Sequence, residues 1–208
     1  MVSCLRRVAI LWSAVAVMAG PGVSASVDLS DEFDMALRAA PVHLKNAAGV
    51  FVLGKDGFVE KRASTNGYNC LVEREGGLGT SPMCFDHVGS ISTMKAVLMQ
   101  ARLRQSGLRE DDVAEAIKAA YAKGELVAPK GPGIVYMLST DFKGPNRQTG
   151  KPECIFPPHV MFYAPYLRNA DLGIPRTDFG STTRPWILNE GRPDAYFIMA
   201  DHSQHHDC

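Results

Sequence analysis

Short apolar runs separated by Asp-Gly, Asn-Gly and glycine-rich turns punctuate the first half of the chain, and this limits its folding more than any other feature. Val50 to Leu53 and Phe58 to Lys61 flank Lys55-Asp56-Gly57, while Thr65-Asn66-Gly67 leads into Tyr68 to Arg74. Asp-Gly and Asn-Gly supply the positive φ that tight hairpins need, and short loops between apolar runs imply antiparallel strands. A further run, Pro82 to Asp86, follows a glycine-rich loop centred near Gly77.

That hairpin carries a cysteine on each arm. Cys70 and Cys84 would face one another, and a non-hydrogen-bonded antiparallel pair brings its Cα atoms close enough for a bridge. Cys154 and Cys208 then remain to tie down the tail, although all three pairings of the four are open in principle. No C-x-x-C spacing occurs, so a zinc site built on these cysteines is the weaker reading and no metal is assigned.

The middle of the chain changes period. Ser90 can cap a helix from Ile91 to Gln105, with Ile91, Met94, Leu98 and Ala101 on its apolar stripe and Gly107 as its stop. A second helix, Glu110 to Lys123, opens on three acidic residues, turns Val113, Ile117, Ala120 and Tyr121 inward, and ends at Gly124. Together they read as an antiparallel helical hairpin. Strand-like runs resume at Ile134 to Ser139, Trp186 to Leu188 and Tyr196 to Met199, whereas the prolines around Pro157 to Tyr166 limit any helix there to a turn or two. The expected fold is α+β: a mainly antiparallel sheet with a helical hairpin packed on one face.

The first 25 residues have a different character. Arg6 and Arg7 precede an apolar run from Val8 to Met18, then Pro21 and the small residues Val23-Ser24-Ala25, the layout of a cleavable secretory signal. The run is too short for a retained membrane span. A twin-arginine signal is the lesser reading, since the rest of that pattern is missing. Cys4 lies ahead of the apolar run and is not placed for lipidation, so no stable membrane anchor is expected after cleavage. The domain then spans 26–200, with a flexible His-rich tail at 201–208, in the periplasm or secreted.

Composition excludes one class of partner. Lys plus Arg and Asp plus Glu both number 22, and no basic stripe with interleaved aromatics occurs, so nucleic acid is not expected. Export and zero net charge likewise argue against a DNA-reading role for the helical hairpin.

Five residues stand out as candidate site residues. Asp86 and His87 lie where a strand gives way to a helix, whose positive end would favour a neutral, basic imidazole; the plainer reading is an Asx turn with a solvated histidine. His159 and Tyr163, four apart, would share a face beside Phe162 and Tyr166 on even one helical turn, and could line a pocket or simply pack in the core. Ser92-Thr93-Met94-Lys95 matches the S-x-x-K of penicillin-recognising serine enzymes, but no K-T-G strand follows. His202, His205 and His206, with Asp201 and Asp207, could take up zinc, copper or nickel weakly, with a solvated tail the plainer reading. No nucleophile elbow, zinc-protease helix or dinucleotide fingerprint is present, so no cofactor is implied.

The segments Thr65 to Arg74, Pro132 to Ser139 and Pro158 to Tyr166 resemble those of uncharacterised exported bacterial proteins. The resemblance implies a bacterial envelope setting and brings no activity with it. The expectation is therefore a non-catalytic exported domain that binds a small molecule or an envelope component through the aromatic, proline-rich stretch from Phe156 to Tyr166. The alternative is an extracytoplasmic hydrolase using His87 or His159.

Overall fold

The computed structural model describes residues 29–74, 79–146, 148–178 and 180–200. The leader, the His-rich tail and Cys208, the partner expected for Cys154, lie outside them.

The chain starts on one face of the sheet it is about to build. Helix α1 (Leu29–Arg38) turns Ala36 inward, and with Ala39 and Ala40 beyond its end these small side chains let it settle close to strands β1 (Gly49–Gly54), β3 (Asn69–Glu73) and β4 (Ser81–Phe85). A short turn of helix, α2 (Val42–Lys45), leads into β1. Glu32, fully buried on α1, accepts from the Leu53 amide and from Arg74 Nη2, both at 3.1 Å. Those partners make burial of its charge tolerable.

Strand β2 (Gly57–Arg62) returns from β1 as the expected hairpin, with Gly57 at φ 122°. Its placement produces one departure from the sequence reading. Because β2 takes the outer edge, the chain crosses back through residues 63–68 and lays β3 parallel to β1, the one parallel pairing of the sheet among the described residues. Cys70 and Cys84 then face each other across β3 and β4 with their sulfurs 2.09 Å apart, a disulfide as expected.

A second correction concerns the first long helix. Asp86 caps a separate four-residue helix, α3 (His87–Ser90), by accepting from the Gly89 amide at 2.8 Å, so α4 (Thr93–Gln105) starts only after the break at Ile91 and Ser92. Ile91 is consequently exposed rather than on the apolar stripe, while Met94 and Ala101 are buried. Helix α5 (Glu110–Lys123) has the predicted bounds and ends on Gly124 in the left-handed conformation. Met94 and Val97 of α4 join the sheet core; Val113, Ile117 and Ala120 of α5 pack with Ala96 on α4.

The sheet is completed by β5 (Ile134–Met137), β8 (His159–Tyr163), β9 (Trp186–Leu188) and β10 (Tyr196–Ala200), in the order β2-β1-β3-β4-β5-β8-β10-β9. A small separate hairpin, β6 (Lys143–Pro145) with β7 (Pro152–Cys154), projects between β5 and β8. Where a turn or two of helix was allowed, residues 159–163 form a strand instead, paired with β5 and β10 on both sides. Pairing on both edges outweighs the local helical option. Among the described residues no helix is long and apolar enough to cross a membrane.

Candidate functional site

Alternation along the strands decides which side chains meet. The register pairs Met137 with His159, Val135 with Met161, Ile198 with Met161 and Tyr196 with Tyr163, so these residues share one face of the sheet. α4 crosses the near part of that face. Beyond it lies a cavity of about 450 Å³, floored by Met137, Met161 and Ile198 and walled by Phe142, Phe156 and Trp186. Its rim reaches solvent at Ile155, Gly180 and Arg192.

His159 is the buried titratable group on the floor, with 2% exposure. Pro157 and Pro158 restrict the backbone before it, and its Nδ1 lies 2.8 Å from the Pro157 carbonyl oxygen. A carbonyl can only accept, so Nδ1 carries the proton and Nε2 presents a lone pair. Burial pushes the imidazole down to about pKa 4, and the carbonyl only partly opposes this. The ring is neutral over the physiological range. Phe156 meets it edge-on at 4.9 Å, Phe142 lies at 5.8 Å, and Phe156 in turn stands perpendicular to Trp186 at 6.1 Å.

Charged groups in the wall are already paired. Arg104 Nη1 donates to Glu73 at 3.0 Å, and Arg192 donates twice to the buried Asp194, at 2.9 and 2.8 Å. Thr93, buried beside the Tyr163 and Tyr196 phenols, has a hydroxyl with no well-formed hydrogen bond among the described residues. Burial raises both phenols well above the usual tyrosine range, so they stay protonated.

The other residues singled out in the sequence fall in different places. Asp86 and Tyr163 do come together: the Tyr163 hydroxyl donates to Asp86 Oδ1 at 2.9 Å, and Asp86 Oδ2 accepts from the Ile134 amide at 2.9 Å. That contact fastens α3, β5 and β8 to one another. It also explains two glycines, since a Cβ at Gly89 would collide with the Tyr163 hydroxyl and one at Gly133 with the Asp86 carboxylate. His87 is exposed on α3 and does not line the cavity. Phe162 points to the opposite face from His159, and Tyr166, exposed, sits beyond the strand at φ 65°. Ser92 donates to the Val88 carbonyl at 2.6 Å while Lys95 is exposed, so the S-x-x-K spacing here joins no pair. No cluster of three or more His, Cys, Asp or Glu suited to a metal ion occurs among the described residues; the tail histidines are outside them.

Sequence reasoning missed Thr93, Trp186, Arg192 and Asp194 as parts of the same wall. Only the period-2 alternation of 159, 161 and 163 could have revealed the floor, and only if that segment were read as a strand. Fold and cavity thus define an α+β sheet domain with a largely apolar cavity on one sheet face. Comparison with protein-family models, curated proteins and solved structures finds no match.

Proposed function

We propose that this chain is an exported, non-catalytic binding module that holds a small, largely apolar molecule in the cavity. The observation that carries this reading is the cavity itself: its volume lies in the range of ligand sites, and its lining is apolar and aromatic with a few placed polar groups. The wall's charges are spent on one another, which suits an uncharged guest. The signal-like leader and the Cys70–Cys84 disulfide support a periplasmic or secreted setting.

Trp186 is the single tryptophan beyond the leader, and it lines the cavity, so it reports on filling. Titration with the neutral dye N-phenyl-1-naphthylamine should give saturable, one-to-one binding with quenching of Trp186. Ile198→Trp, which fills the floor, should abolish it. Dye binding that never saturates, or that ignores Ile198→Trp, would overturn the reading. Hydrolysis of p-nitrophenyl acetate that disappears in His159→Phe would move the assignment to the hydrolase.

A further inference from the structure

We propose that the inner end of the ligand is an aromatic ring bearing a neutral hydrogen-bond donor, an aryl hydroxyl, seated against His159. This rests on the cavity being a ligand site, and it deepens that reading by naming the chemistry recognised.

His159 sets the polarity of the group. With Nδ1 engaged by the Pro157 carbonyl, Nε2 offers only a lone pair, and it has no hydrogen-bond partner among the described residues. A buried acceptor is satisfied by a donor; an ether, a carbonyl or a carboxylate would set acceptor against acceptor. The donor must be neutral, because the carboxylates of the wall, Glu73 and Asp194, are already paired with Arg104 and Arg192 and leave no free counter-charge for a cation. An ammonium or guanidinium end would have to be desolvated there without a counter-charge.

The neighbours set the shape. Phe156 is perpendicular to both His159 and Trp186, and Phe142 is tilted at 47° to the imidazole. A ring entering this corner meets edges and faces in the arrangements aromatic pairs favour. The thioethers of Met137, the cross-strand partner of His159, and of Met161, two residues along, add polarizable contacts for ring edges. A saturated ring would gain only the apolar contact.

The test compares three probes by isothermal titration calorimetry, which reads all of them alike: 2-naphthol, 2-methoxynaphthalene, which lacks the donor, and trans-2-decalol, which keeps the hydroxyl without the aromatic ring. The wild-type protein should prefer 2-naphthol over the methyl ether by about tenfold or more, the scale of one buried hydrogen bond. In His159→Phe that preference should fall to within about twofold with affinity for the ether retained, and in His159→Gln, whose carbonyl can accept, part of it should return. Equal affinity for naphthol and its ether in the wild type would overturn the donor while leaving the cavity as a binding site. Decalol binding as tightly as naphthol would overturn the ring. Failure of all three to bind would overturn both this inference and the binding-module reading.

Discussion

The two ends of the sheet are built differently. At β1, β3 and β4, helix α1 presses on one face with Ala36, Val50, Val72 and the disulfide in one core, while α4 covers the other with Met94 and Val97. At β8, β10 and β9 that face borders the cavity, which α4 walls along its length from Thr93 to Arg104 and which extends to Ser81 and Met83 on β4, and on the opposite face Phe162 and Met199 are exposed. At both ends the strands are hydrogen-bonded to their neighbours in one continuous sheet. What differs is side-chain filling: close packing fixes the first end, whereas the second leaves room that a guest can occupy.

The largest expected effect tests this contrast directly. Leu71, fully buried on β3, and Ile198, 3% exposed on β10, belong to the same hydrophobic cluster. Leu71→Ala opens a void in a closed region and should cost about 3–4 kcal/mol; Ile198→Ala only enlarges existing space and should cost about 1–2 kcal/mol. Urea denaturation of the two variants measures the gap. Equal losses would mean the far end is as tightly packed as the near one.

How much of this the chain reveals in advance also differs between the ends. At the first end, the Asp56-Gly57 turn, the opposed cysteines and the glycine stop of α5 are local signals, and the β1–β2 hairpin, the disulfide and the end of α5 appear where they point, although the Asn66-Gly67 turn leads into a strand parallel to β1 and not into a hairpin. At the second end the decisive signals are either ambiguous or non-local. His159 and Tyr163, four apart, lie on one face under a helical period and under a strand period alike, so their spacing could not choose between them. The Tyr163–Asp86 contact spans 77 positions, and the cavity wall draws on α4, β3, β4, β5, β8, β9 and β10. Such groupings follow from strand order, which alternation within one segment does not encode.

The next prediction places a pH response at the cavity end. His159 has a folded pKa of about 4, below its unfolded value near 6.5, so the unfolded chain takes up a proton that the folded chain refuses. Its contribution is therefore fully present above about pH 6.5 and is lost as pH falls towards 4. Between about pH 7.5 and about pH 5 the loss should be about 2 kcal/mol. His159→Phe, whose ring can pack with Phe142 and Phe156, should flatten that slope when unfolding is followed at both pH values. An unchanged slope would place the acid sensitivity elsewhere in the molecule.

The smallest effect concerns where the cavity end stops. Tyr166 was expected among the binding residues, yet it is 61% exposed and holds φ 65°, its amide donating to the Arg192 carbonyl at 2.8 Å. A bulky side chain in the left-handed region is strained, and asparagine tolerates that conformation better. Tyr166→Asn should therefore raise stability by about 0.5–1 kcal/mol, since the exposed ring buries little surface. Because Tyr166 does not line the cavity, dye affinity should stay within about twofold of wild type, a change smaller than one weak contact supplies. Thermal unfolding and the Trp186 titration on the same variant read the two quantities separately. A gain in stability with unchanged affinity leaves Tyr166 as a strained turn residue outside the site. A several-fold loss of affinity would instead extend the site past the end of β8 and onto the surface, and the boundary drawn between the closed and the open end of the sheet would have to move with it.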